Sequence, residues 1–257
     1  MTQFELRGGT AVAARRIEAA DSLDLFPTPP WATRALVRHV MPVLGVRLAG
    51  KRIWEPACGL GHMSEVLKES LAHVDATDVY DHGALHFDGV HDFASGALPS
   101  EIFSRYCRPN WVITNPPFNQ AEKFLKNAAN VASEGVAFLV RTQFLESISR
   151  YELFGRFCPS LVAIFSERVP MVKGVWDPKA STATSYCWIV WTREGPDKSW
   201  DQPHLKGIID NRSALRLMLI PPGCKQSLTR QDDKRLALLK SRQDTSNSGD
   251  LLHDHAV

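Results

Sequence analysis

The sequence predicts an α/β fold with a doubly wound parallel sheet, and three observations predict it. Short apolar runs and helix-period stripes alternate along residues 28 to 191, the pattern of strands joined by helical crossovers. One run, Arg52-Ile53-Trp54, passes through Glu55-Pro56 into the turn Gly59-Leu60-Gly61 and then a helical stripe of Met63, Val66 and Leu67. Another, Trp111-Val112-Ile113-Thr114, stops at Asn115-Pro116-Pro117-Phe118. Both turns fall where a parallel sheet presents its carboxyl edge, the place where such sheets take ligands.

Each element can be justified in chain order. Thr28-Pro29-Pro30 starts a helix, with Thr28 as cap and Pro in the first turn, and Ala32, Leu36, Val37 and Val40 carry its stripe to Pro42 and Gly45. Strand 51–54, helix 62–71 and strand 73–79 follow, with a short strand expected around 89–92. Strand 110–114 carries the Asn-Pro-Pro-Phe turn, and helix 119–132 packs behind it through Ala121, Phe124, Leu125 and Ala128. Strand 135–141, a helix near 147–156, strand 160–166 and the run 184–191 complete the pattern. Residues 167–183 form a long loop bearing Arg168, Lys173 and Trp176, and long loops in compact domains are usually functional or mobile. Residues 1–24 read as a mobile arm, 25–224 as the folded domain and 225–257 as a basic helix with a disordered tail. The helix is expected over Ser227 to Arg242, where Leu228, Leu236, Leu238 and Leu239 lie among Arg230, Lys234, Arg235, Lys240 and Arg242.

With 257 residues and 44% hydrophobic composition, the chain can bury one substantial core. A formal net charge of only +2 does not by itself announce a nucleic-acid binder, although a local basic face is compatible with it. Cys58, Cys107, Cys158, Cys187 and Cys224 are scattered without a C-x-x-C pair, so they read as reduced thiols, with Cys58 a packing residue. No segment approaches a membrane span and Met1-Thr2-Gln3-Phe4 does not begin a secretory signal, so a cytoplasmic location is expected. Asp81, His82, His86, Asp88, His91 and Asp92 offer metal-ligand chemistry, but Gly83 and Gly89 argue against the helix that would align them, and no metal is expected.

A Pro-Pro step fixes φ twice and removes two backbone donors, which leaves the Asn115 side chain and the Pro116 carbonyl free to point into a cleft. Two converging acceptors beside an aromatic ring suit a planar ring with an exocyclic NH2. Alone, the tetrapeptide also reads as a plain strand-end turn. The glycine turn lacks the third Gly of a dinucleotide fingerprint and the Lys-Ser/Thr of a phosphate loop. Asp78 closes the next strand, placed to accept from ribose hydroxyls. Glycine turn, acidic strand end and Asn-Pro-Pro-Phe form a specific succession.

On these residues the chain resembles the S-adenosylmethionine-dependent amino-methyltransferases, and among them the DNA adenine-N6 methyltransferases of small phage or prophage type. The likeness begins at Phe26-Pro27-Thr28-Pro29-Pro30-Trp31 and fades after about Gly223. It implies a Rossmann-like, mostly parallel sheet with a terminal antiparallel hairpin, the class I methyltransferase fold, with 160–166 and 184–191 as the hairpin's arms. It implies S-adenosylmethionine as cofactor, held by Phe26, Thr28, Pro29, Glu55, Pro56, Ala57, Gly59, Gly61, Asp78, Asp92, Phe93 and Asn115. It implies a catalytic loop of Asn115, Pro116, Pro117 and Phe118, where hydrogen bonds from the amino group to Asn115 and to the Pro116 carbonyl localise the nitrogen lone pair for in-line transfer. Phe118 is expected to stack on a base flipped from duplex DNA, at a cost of a few kcal/mol. Arg141, Lys173 and Trp176 are the other expected substrate contacts. Arg141 either pairs with Glu146 or contacts phosphate, and Trp176 either stacks on a base or folds back as a lid. With no large recognition insert, specificity is expected to be relaxed, short-site or shared across a dimer. The same loop serves cytosine N4, an RNA base or a protein glutamine, and a non-catalytic nucleic-acid-binding subunit is the remaining alternative.

Overall fold

The computed structural model describes residues 24–103, 107–193, 200 and 215–239. Eight strands form one sheet: β1 (Arg52–Glu55), β2 (His73–Asp78), β3 (Gly89–Val90), β4 (Trp111–Thr114), β5 (Gly135–Arg141), β6 (Leu161–Phe165), β7 (Tyr186–Thr192) and β8 (Leu217–Ile220). Their order is β3-β2-β1-β4-β5-β7-β6-β8. The first five are parallel, and β7 lies antiparallel between β5 and β6. The hairpin expected of β6 and β7 is therefore present, its two arms being strands 161–165 and 186–192.

Successive residues of a buried strand point to opposite faces, and both faces here are covered. Ile53, Trp111, Ile113, Leu139 and Trp188 pack on one side, with Trp31 and Leu36 of the N-terminal helical run. Trp54, Val112, Phe138, Ile189 and Trp191 pack on the other, against Phe124 and Leu125. Gly135 sits opposite Trp111 in the ladder, and a Cβ there would lie 2.3 Å from the indole, so the large ring and the bare backbone are a matched pair.

The helices are α1 (Pro30–Ala35), α2 (His62–Lys68), α3 (Ala121–Val131), α4 (Ile148–Arg156) and α5 (Cys224–Leu228). Four features depart from the sequence reading. Pro29, not Thr28, occupies the cap of α1, and no side chain caps it. Beyond Ala35 the helical run continues as a π segment, Leu36–Val40, and a 3-10 turn, Met41–Leu44. Strand β8 was not expected; Leu217–Ile220 is short and half-exposed, and gains its place by pairing parallel with β6 at the sheet edge. Finally, no single helix spans the described part of 227–242. Extended Thr229 and Arg230 divide α5 from a 3-10 stretch, Gln231–Leu238.

That C-terminal stretch is fastened to the core. Arg34, buried in α1, donates to Asp233 at 2.6 and 2.7 Å, to Glu69 at 2.7 Å and to the Leu228 carbonyl at 2.7 Å. A buried guanidinium is tolerated because every donor direction meets an acceptor. The arm expected over 1–24, apart from Asp24, and the tail expected over 245–257 lie outside the described residues.

Candidate active site

The carboxyl ends of β1 and β4 meet in one cleft, and the end of β2 is hydrogen-bonded to the glycine turn beside it. Leu25, Phe26, Thr28, Glu55, Gly59 and Asn115 are among the residues that line it. After β1 the chain turns through Gly59 at φ 52° and Gly61 at φ 79°, left-handed values that favour glycine. A Cβ on Gly61 would stand 3.1 Å from that of Ala84, close enough that Ala84 would have to shift. Gly59 N–H donates to Asp78 Oδ2 at 2.8 Å, which ties the glycine turn to the end of β2. Burial pushes the Asp78 carboxyl above the usual carboxylate range, and the Gly59 amide opposes that shift. Glu55 is 2% exposed and accepts from Ser64 Oγ. Burial likewise holds its carboxyl well above the usual range, with Asp78 adding to the effect. Cys58 is buried, its thiol pushed up by desolvation, which makes it a packing residue and not a nucleophile.

The Asn-Pro-Pro-Phe turn ends β4, where Asn115 faces the strap of residues 24–28. Asn115 Nδ2 donates to the Phe26 carbonyl at 3.1 Å, which sets the orientation of the amide. Among the described residues its buried Oδ1 has no hydrogen-bond partner. Such an orphaned acceptor is costly and therefore informative. Phe118 N–H donates to Asp24 Oδ2 at 2.8 Å, a contact on which the sequence was silent. The strap also touches the 167–183 loop, where Gly174 N–H donates to the Leu25 carbonyl at 2.9 Å.

The expected substrate contacts fall in different places. The Arg141 guanidinium lies 3.7 Å from the Phe118 ring centroid, and Phe26 tilts against the same ring at 5.2 Å. Phe118 is half-buried, with Arg141 and Phe26 packed on its ring. Among the described residues Arg141 forms no ion pair with Glu146; it packs on the aromatic ring of the turn. Trp176 is 4% exposed and meets the His62 ring edge-on at 5.9 Å. Of its two readings, the lid over its own domain is the one the structure has. Lys173 is exposed at the loop's tip. Asp92 accepts from Ala94 N–H, capping a 3-10 turn, and Phe93 is buried against Trp54 and Phe124. Neither lines the cleft.

His62 is a cleft residue that the sequence did not mark. It is buried, its Nε2 donates to the Leu236 carbonyl at 3.0 Å, and desolvation lowers its pKa to about 4. Nothing in the sequence could pair positions 62 and 236. Beside the Asn115 turn lies a second space of about 260 Å³, lined in part by Pro116, Phe118, Arg141, Phe144 and Arg150. Acids of 81–92 tie the loop to itself and to β2: Asp88 accepts from Ala76 N–H of β2 and pairs with His86 at 3.0 Å, and Asp81 accepts from Gly83 N–H. Among the described residues, no three His, Cys, Asp or Glu side chains are arranged to hold a metal.

The sheet order, with an antiparallel strand between β5 and β6, defines the class I methyltransferase fold, here extended by β8. No protein-family model matches the chain, and no curated protein is significantly similar to it. Among solved structures it is similar to magnesium protoporphyrin IX methyltransferase of Synechocystis with bound S-adenosylmethionine, at 13% identity and TM-score 0.44, over 64% of this chain and 79% of that one. It is also similar to a Pyrococcus horikoshii protein described as a candidate RNA methyltransferase (16% identity, TM-score 0.45, 66% of this chain and 88% of that one). A third is precorrin-6y C5,15-methyltransferase of Geobacter metallireducens (11%, 0.39, 63% and 86%). At these TM-scores none of those proteins' substrates bears on this chain.

Proposed function

We propose that this chain is an enzyme that transfers a methyl group from S-adenosylmethionine to an exocyclic amino group, and that the group is N6 of adenine in DNA. One observation carries the reading: the buried Asn115 Oδ1, which lacks a partner among the described residues, on an amide whose other end is held by Phe26. An arriving NH2 satisfies that acceptor and finds a second in the Pro116 carbonyl. Both bonds draw the nitrogen toward tetrahedral geometry and localise its lone pair, so the residues act by positioning and preorganised polarity. Neutral Asn115 does not need to take the proton, which leaves after transfer.

The cleft's residues fit the cofactor. Gly59 offers bare backbone, Asp78, held beside the cleft by the Gly59 amide, suits a ribose hydroxyl, and desolvated Glu55 gains from a nearby ammonium group. When bound, S-adenosylmethionine supplies an electrophilic methyl group on a sulfonium. Space is tight beneath the strap, about 30 Å³, so Leu25 moves aside from Gly59 when the cofactor is seated. The DNA reading draws support from the space beside Phe118, where Arg141 suits a phosphate-bearing substrate while Arg150 is paired with Glu122, and from the Phe26–Pro30 segment and the 141–146 run. A base stacks on Phe118 once Arg141 swings off the ring.

The test is transfer of tritiated methyl from S-adenosylmethionine to duplex DNA, with RNA and protein extract in parallel, followed by nucleoside analysis. N6-methyladenine in DNA is expected from the wild type. Asn115→Ala is expected to cut transfer by about 10²–10³-fold, the scale of losing one preorganised polar contact, with cofactor still bound. Label confined to RNA or protein replaces the substrate, and loss of cofactor binding in Asn115→Ala removes Asn115 from the catalytic role.

A further inference from the structure

A cavity of about 350 Å³ lies at the opposite edge of the sheet from the cleft. Leu48 and Ala49, which precede β1, and Glu69 and Ser70, which precede β2, help to line it. The cleft's Gly59 and Asn115 instead follow β1 and β4, so the two spaces are separated by the length of the strands.

The lining has two parts. Val37, Met41, Val46, Leu48 and Val66 make an aliphatic floor, and no aromatic ring lines the cavity among the described residues. Four arginines, Arg34, Arg38, Arg47 and Arg230, are among the lining residues. Arg34 is shared by Asp233 and Glu69, and Arg230 also reaches Glu69, at 2.9 Å. Arg38 and Arg47 are exposed and form no ion pair among the described residues. Four cations against two carboxylates leave two positive charges uncompensated in one place, as large as the formal net charge of +2 on the whole chain. The wall that carries Val37 and Arg38 is the π segment Leu36–Val40, a rare conformation found disproportionately at functional positions.

We propose that this cavity binds a small aliphatic carboxylate, a medium-length hydrocarbon chain ending in one anionic group. The floor removes hydrocarbon from water, and the planar fork of Arg38 or Arg47 matches a carboxylate with two parallel hydrogen bonds. Without an aromatic ring the cavity has nothing on which a nucleobase stacks, which sets its ligand apart from anything the cleft would take. Its volume is at the lower end of the roughly 300–1,000 Å³ typical of small-molecule sites. This site stands independently of the reaction proposed above.

The experiment is isothermal titration of the full chain with octanoate, and with octan-1-ol as the uncharged probe of equal chain length. Octanoate is expected to bind one per chain, at least tenfold more tightly than the alcohol. Arg38→Gln with Arg47→Gln, two exposed positions, is expected to remove that advantage, and Val46→Trp, which fills the floor, to weaken both probes at least tenfold. Equal affinity for acid and alcohol, or octanoate binding unchanged in both variants, overturns the proposal. Co-sedimentation with phosphatidylglycerol vesicles without octanoate binding in solution also overturns it, since the arginines would then serve a lipid surface.

Discussion

Asp24→Ala tests how the catalytic turn is held. Within Asn115–Phe118 the two prolines have no amide proton, so Phe118 supplies the turn's only N–H beyond Asn115. That N–H donates to the Asp24 carboxylate at 2.8 Å. A hydrogen bond to a charged group contributes about 1.5–3 kcal/mol. About 1.4 kcal/mol is a factor of ten in an equilibrium, so local opening becomes roughly 10- to 150-fold more frequent in the variant. Amide hydrogen exchange reads this directly at Phe118 and needs no substrate. Asp24→Asn keeps an acceptor without the charge, and a neutral bond of about 0.5–1.5 kcal/mol places it between wild type and alanine. Methyl transfer should fall in the same order, while cofactor affinity changes less. Phe118 exchange within twofold of wild type in Asp24→Ala refutes the reasoning, because the strap would then not be holding the turn.

Arg34→Met strands Asp233, which is 3% exposed, and should cost about 3–5 kcal/mol in urea denaturation; a loss below about 1 kcal/mol would contradict the buried network. Gly61→Ala puts a side chain at φ 79° and close to Ala84, which should cost about 1–2 kcal/mol for the left-handed backbone and weaken S-adenosylmethionine in an equilibrium titration. His62 has its folded pKa lowered to about 4 by burial, so the unfolded chain protonates first. Its contribution is present above about pH 6.5 and is lost as pH falls toward about 4, on the order of 3 kcal/mol in all. Glu55, raised by burial, acts in the opposite sense, as its ionisation disfavours the fold when pH rises. The His62→Gln chain should therefore show a shallower acid limb in its stability–pH profile than wild type, and identical limbs would refute the assignment.

Much of the site was legible because its signals are local. Glycines at 59 and 61, the acid at the end of β2 and the Pro-Pro step after β4 each restrict the backbone within a few residues, and each lies at the carboxyl edge of a parallel strand. Strong apolar runs marked β4, β5 and β7 for the same reason: burial on both faces needs continuous hydrophobic sequence. Strand β8 escaped notice because Leu217 and Leu219 remain exposed and the strand exists through its ladder with β6.

What sequence alone determined, then, is the elements from β1 to β7, their alternation and the chemistry placed at each strand end, all governed by short-range periodicity and backbone restriction. Tertiary structure decided which groups meet across large separations. Asp24 holds position 118, Phe26 orients Asn115 so that its oxygen is left without a partner among the described residues, Arg141 packs on Phe118, and Arg34 secures Asp233. Those pairings depend on how packed layers bring distant segments together, and a linear pattern of residue types does not encode which buried polar group will face which.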